Sequence, residues 1–182
     1  MISFSQVTGH VWENVDFMYA AWQQPNTLDG FVDIQSAVYT CSQPSHNCEP
    51  LGNIQISNST RITFSSCTFA HLGGVYALSI LNGFHYVSIV NCYFNDLSGG
   101  AIKLGNVVNS AGASSNDMAD WDTNADVTNN LFSEISLEYH GAAAVFVGYV
   151  FSADISNNTI TDTGYTGISL GWGWGNVFPQ GK

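Results

Sequence analysis

Apolar and polar residues alternate in short bursts along this chain, and four of the bursts are near-copies of one another. They are Ile62-Thr-Phe64-Ser-Ser-Cys67-Thr-Phe69, Val87-Ser-Ile89-Val-Asn-Cys92-Tyr-Phe94, Ala125-Asp-Val127-Thr-Asn-Asn130-Leu-Phe132 and Ala153-Asp-Ile155-Ser-Asn-Asn158-Thr-Ile160. Aligned on Cys67, Cys92, Asn130 and Asn158, they recur after 25, 38 and 28 residues. A weaker fifth copy runs from Trp12 to Phe17. Alternation with period two in Val, Ile, Phe and Thr is a strand signal, and no segment offers a helical face. A second short strand follows each of the four: Leu78-Ser-Ile80, Ile102-Lys-Leu104, Val145-Phe-Val147 and Ile168-Ser-Leu170. Turn residues separate the two, as in Leu97-Ser-Gly-Gly100 and Thr163-Gly-Tyr-Thr-Gly167.

Short strands that return at such a period predict a solenoid of stacked coils, a parallel β-helix. Each strand then pairs with its counterpart one coil away, about 4.8 Å along the axis. Like side chains stack, so Phe69, Phe94, Phe132 and Ile160 are expected in one inward row. Asn91, Asn129 and Asn157 are expected as a ladder of corner amides, each bonding the next coil. The outward row of the second strand set reads Ser79, Lys103, Phe146 and Ser169, where an open groove for an extended glycan is expected. Excess residues leave the stack as loops near 22–52, 107–122 and 137–142, and such loops often carry the binding face. The expectation is one domain over 1–182. The repeat is under way near residue 2 and the last copy shows no cap, so the chain reads as a fragment, incomplete at both ends.

Composition narrows the function. Charged residues make up 9% of the chain, and 14 acids against three bases give a net charge of -11. Nucleic acid and polyanionic substrates are disfavoured by that balance. No apolar run is long enough for a membrane-spanning helix, and the first residues lack the pattern of a signal peptide. Cys41 and Cys48 flank a short loop and suit a local disulfide in a secreted protein. Cys67 and Cys92 are expected as stacked buried thiols. Of the sequons at Asn58 and Asn157, Asn58 is the better glycosylation acceptor, because Asn157 sits within a repeat.

Several strings resemble secreted parallel β-helix proteins of the pectate-lyase-like superfamily, in particular the carbohydrate-active branch around glycoside hydrolase family 141. They are Phe17-Met-Tyr-Ala-Ala-Trp22 with Asp29-Gly-Phe31, His71-Leu-Gly73, Leu97 to Gly105, Glu138-Tyr-His-Gly141 with Val145 to Gly148, and Tyr165-Thr-Gly-Ile-Ser-Leu-Gly-Trp-Gly-Trp174. The resemblance implies a right-handed single-stranded parallel β-helix and an extracellular, sugar-acting enzyme, with glycan hydrolysis as its leading chemistry.

Hydrolysis of a glycosidic bond needs two carboxyls flanking it. Glu138 lies in an insertion beside Tyr139 and His140, where it either serves chemistry or holds the loop. Asp162 ends a strand, and Asp96 stands at the equivalent corner, which also suits turn capping. Asp29 stands in the long excursion in an Asp-Gly pair, and Asp33 follows it. His140 is a further catalytic candidate, and His71 reads as structural. Trp172 and Trp174 suit stacking on sugar rings or burial against a further coil; Lys103 and Phe146 complete the expected substrate-binding set. Asp117, Asp120, Asp122 and Asp126 suit a solvated acidic loop better than a Ca²⁺ site, and no cofactor or metal is expected. Two other functions stay open: a non-catalytic glycan-binding or fibre-forming module that associates end to end, and a polysaccharide lyase, for which the chain has few bases.

Overall fold

The computed structural model describes residues 1–27, 30–33, 35, 39–40, 47–48, 52–106 and 122–171. These residues form three parallel sheets, each taking one strand from successive coils, with no α-helix among them. The first sheet runs Ile2–Ser5, Ile54–Ser57, Tyr76–Leu81, Gly100–Leu104, Val145–Val147, Ile168–Leu170. The second runs Val11–Glu13, Thr60–Ser65, His85–Val90, Asp122–Thr128, Val150–Ser156. The third runs Asp16–Met18, Thr68–Leu72, Tyr93–Leu97, Leu131–Ile135, Thr159–Ile160. This is a parallel β-helix, as the repeat predicts. The inner coils bury one face of each strand against the others, which no coil could do alone, while the strands of the first and last coils are only partly covered.

The register is that of the aligned repeats. Phe17 pairs with Phe69, Phe69 with Phe94, Phe94 with Phe132, and Phe132 with Ile160. The rings stack nearly face to face, with centroids 5.0, 4.6 and 4.8 Å apart from Phe17 to Phe132. Cys67 and Cys92 are free thiols buried in the next inward position. Burial, above all, raises the Cys92 thiol to about 11, so it stays protonated and inert.

Left-handed residues turn the corners. Asn14, Ser66, Asn91, Asn129 and Asn157 occupy equivalent positions between the second and third sheets, with φ between 54° and 58°. Asn and Ser tolerate this region better than branched residues do. The amide ladder is one residue further on than expected. Asn91, Asn129 and Asn157 supply the bend, and the bonding amides are their neighbours Asn130 and Asn158. Asn130 Oδ1 accepts from the Cys92 N–H at 2.8 Å, and Asn130 Nδ2 donates to Ile89 O at 2.9 Å. The Asn158 side chain repeats the pattern one coil later, accepting from the Asn130 N–H at 2.9 Å and donating to Val127 O at 2.7 Å. The residue after the bend turns inward, where the corner leaves backbone groups that water cannot reach.

The expected groove over the first sheet does not exist. Ser79, Lys103 and Phe146 point out of that sheet in register, yet all three are 0% exposed. Phe146 belongs to a second apolar cluster with Val75, Tyr76, Ala142 and Ala143, against which Trp22, Phe31 and Tyr139 pack. Gly52 approaches so closely that a Cβ there would lie 2.6 Å from Ser79 Oγ. The Lys103 ammonium sits 5.9 Å from the Tyr76 ring centroid and 5.8 Å from that of Phe146. Cation–π attraction offsets part of its desolvation there. Lys103 and Phe146 are therefore interior residues. Phe31, in the excursion after Trp22, packs onto the face that the repeat alone would leave open.

Candidate functional site

One open face is on the third sheet. After each inward aromatic the strand has two residues before the next one turns in, and the second is at least partly uncovered: His71, after the buried Ala70, between Phe69 and Leu72, and Asp96, after the half-buried Asn95, between Phe94 and Leu97. A left-handed residue makes this possible by adding one position to the normal alternation, as in a β-bulge. That residue is Tyr19, His71, Asp96, Glu134 and Asp162 in successive coils, with φ of 60°, 54°, 50°, 57° and 51°. Each stands two places after the stacked Phe17, Phe69, Phe94, Phe132 or Ile160. Parallel pairing brings the five into one outward column, neighbours about 4.8 Å apart along the axis.

The column carries chemistry at every rung. The Tyr19 ring, 76% exposed, stacks on the His71 imidazole with centroids 4.9 Å apart and planes 13° from parallel. His71 Nδ1 lies 2.5 Å from Asp96 Oδ2, with both side chains partly open to solvent. Asn95 Nδ2 donates to Glu134 Oε2 at 3.1 Å and so fixes that carboxylate. Asp162 is exposed at the last rung and its backbone carbonyl receives the Ile135 N–H. A groove of about 380 Å³ runs along the upper part, lined by Tyr19, Ala20, Ala21, His71, Leu72, Gly73, Asp96 and Ser98.

The insertion after Ile135 leaves the stack at the corner between the third sheet and the first. Its backbone is tied to the coil below: the Ser136 N–H donates to Gly99 O, and the Glu138 and Tyr139 N–H groups both donate to Ser98 O. Glu138 and His140 are exposed on it. His140 abuts Gly164, where a Cβ would lie 2.6 Å from its Nδ1. Glu138, His140 and Asp162 therefore share one region of the surface. Asp29, Trp172, Trp174 and Cys41 lie outside the described residues, and with Cys41 the pairing to Cys48. Asp122 opens a strand instead of belonging to an acidic loop; its Oδ1 accepts the N–H groups of Gly83 at 2.7 Å and Phe84 at 3.0 Å. Asn58 is exposed at a left-handed turn.

Asp33 ties the excursion to the insertion. Its Oδ2 accepts from the Gly141 N–H at 2.6 Å, while its Oδ1 is buried with no hydrogen-bond partner. Trp22, Phe31 and Tyr139 form an edge-to-face aromatic trio beside it. Burial raises the Asp33 carboxyl above its ordinary value of 3.8, against the lowering pull of the Gly141 N–H and His140. Burial also raises the Tyr139 phenol, with Glu138 and Asp33 adding to it. A carboxyl raised on folding favours the folded state below its unfolded value, and that contribution is lost as pH rises through the folded one. Asp33→Asn keeps the acceptor for Gly141 and removes the charge. It is expected to raise the melting temperature at pH 7, by less than about 1 kcal/mol of stability at this partly exposed site, and to change nothing at pH 3. Thermal melts at the two pH values measure this.

Sequence reasoning singled out Asp162, Glu138 and His140, set Asp96 and His71 aside as structural, and missed Tyr19 and Glu134. The missed signal is positional: one residue of varied type, two places beyond each repeat aromatic. A second pair of acids on adjacent coils, Asp126 and Asp154, is exposed on the second sheet. Its row is otherwise Val11, Thr63 and Ser88, with neither an aromatic nor a histidine to orient substrate or proton.

No family model matches the chain, and no curated protein matches it. Among solved structures, a chain named "Glycoside hydrolase" superimposes with a TM-score of 0.82 at 24% identity, over 93% of this chain and 32% of that one. The chain thus spans about a third of that neighbour, and the likeness shows the shared β-helix fold.

Proposed function

We propose that this β-helix hydrolyses glycosidic bonds in a neutral or complex polysaccharide outside the cell. The observation that carries the reading is the column of His71, Asp96, Glu134 and Asp162 beside an open groove. Hydrolysis needs two carboxyls across the scissile bond, about 5–5.5 Å apart for a retaining reaction and about 6.5–9.5 Å for an inverting one. The backbones of adjacent rungs lie about 4.8 Å apart, close to the first spacing, so Asp96 and Glu134 suit a retaining double displacement. Glu134, presented as an acceptor by the Asn95 amide, is the nucleophile that attacks the anomeric carbon. Asp96 is the acid that protonates the leaving oxygen and then the base that activates water. His71, in contact with it, orients the carboxyl and exchanges its proton with solvent. Asp162, and the exposed Glu138 on the insertion after Ile135, bind substrate hydroxyls beside the pair.

The structural neighbour's name supports carbohydrate chemistry, and the shortage of bases argues against a lyase. Location outside the cell rests on composition and on the exposed Asn58 sequon. A second reading, glycan binding without hydrolysis, is favoured by the exposed Tyr19 ring, which offers adhesion and no chemistry. A screen of neutral polysaccharides for released reducing ends separates the two: hydrolysis that disappears in Asp96→Asn and Glu134→Gln supports the enzyme, and binding with no turnover of any substrate supports the module.

A further inference from the structure

We propose that Tyr19, His71 and Asp96 form a sugar subsite that accepts an uncharged ring and rejects a uronate. The proposal deepens the hydrolase reading and rests on it for the choice of a glycan as ligand. Tyr19 is a large aromatic left 76% exposed, and its ring is held in place by the stacked imidazole beneath it. A sugar presents a face of C–H groups that are weakly positive, and the negative face of a phenol ring attracts them. The ring is therefore pre-set, and little side-chain entropy is lost when the sugar lands.

Small residues make the room. Ala20, Ala21 and Gly73 line the groove next to the ring. A Cβ at Gly73 would stand 3.4 Å from the carbonyl oxygen of Ala20 and from the Cα of Ala21, so any larger residue narrows the floor. Asp96 shares the groove with one oxygen committed to His71. Its other oxygen shares hydrogen bonds with sugar hydroxyls, donating as the acid and accepting as the carboxylate. Glu134 and Asp162, which follow at successive rungs, repel an anionic sugar. The stacking ring supplies affinity and the acidic column supplies selection against uronates.

The test is isothermal titration of the intact protein with xylohexaose, cellohexaose and mannohexaose as neutral probes and hexagalacturonate as the anionic one. At least one neutral hexamer is expected to bind, and hexagalacturonate at least tenfold more weakly. Tyr19→Ala is expected to weaken the neutral complex by about tenfold, the size of one aromatic contact. Tyr19→Phe, which keeps the ring, is expected to hold affinity within about twofold. Because Tyr19 is on the surface, both variants fold, and a melt confirms it. Failure of every neutral hexamer to bind, equal or tighter binding of hexagalacturonate, or unchanged affinity in Tyr19→Ala overturns the subsite. The titrations are repeated in a Glu134→Gln background, where turnover is blocked, so the two readings fail separately. Intact affinity with no hydrolysis sinks the enzyme and keeps the subsite. Hydrolysis with full affinity in Tyr19→Ala sinks the subsite and keeps the enzyme.

Discussion

Asn130→Ala is expected to cost roughly 2–5 kcal/mol of stability, through two or more buried polar groups left unpaired at about 1–3 kcal/mol each. Asn130 is buried, and its amide takes the Cys92 N–H, gives to Ile89 O and reaches Asn158 Oδ1 at 3.0 Å. Alanine leaves the Cys92 N–H without a partner and opens a void in a stack where every neighbour is held by the next coil. Asn130→Cys restores the residue type found at Cys67 and Cys92, whose thiols bond backbone carbonyls. It is expected to fall between wild type and alanine. Denaturant melts of the three proteins measure the order. A loss below about 1 kcal/mol for alanine would mean that the corner amides fill space without holding the coils together.

Glu134→Gln is expected to lower turnover by three or more orders of magnitude, because a carboxamide cannot act as the attacking group in a double displacement. Asp96→Asn is expected to cost about 10²–10⁴, the usual worth of a general acid–base group. Asp162→Asn and Glu138→Gln, which touch hydroxyls and not the reacting bond, are each expected to cost less than about 100-fold, in line with one charge-assisted hydrogen bond. Asp126→Asn, on the second sheet, is expected to leave the rate unchanged. Initial rates on whichever polysaccharide the screen identifies give all five values. A Glu134→Gln protein with normal turnover would move the chemistry off this column.

The strand positions were legible because the repeat writes the interior in one alphabet. Phe69, Phe94 and Phe132 must fit the same slot, and stacking rewards the same ring in each. The outward column is subject to no such demand. Tyr19, His71, Asp96, Glu134 and Asp162 share a backbone angle and no side-chain type, so letter matching passes over them. The equivalence of Asp96 and Asp162 was visible, and it pointed towards turn capping because the bulge that aims both outward exists only in three dimensions. The amide ladder was misplaced by one residue for a related reason. Asn91 and Asn130 are both asparagine in a repeat corner, and only the left-handed bend decides which faces in. Lys103 and Phe146 were placed in a groove because alternation does point them out of the sheet. Phe31, from an excursion with no period, packs over that face, and Gly52 closes on Ser79, neither of which can be read from spacing. Asp33 belongs to that same segment, which is why its bond to Gly141, 108 residues later, left no trace in the pattern.

Beneath both the fold and the proposed chemistry lies a single geometric statement, that residues two places beyond successive repeat aromatics are lateral neighbours on one open face. Engineered cysteine pairs test it without any substrate. A disulfide needs Cα atoms about 4.4–6.8 Å apart, which one rung of a parallel stack provides and two rungs exceed. In the doubly substituted protein Asp96→Cys with Glu134→Cys, mild oxidation followed by peptide mass mapping is expected to find a 96–134 cross-link in most molecules. Asp96→Cys with Asp162→Cys is expected to yield none. A missing 96–134 link, or a 96–162 link formed as readily, would contradict the register on which the site is built.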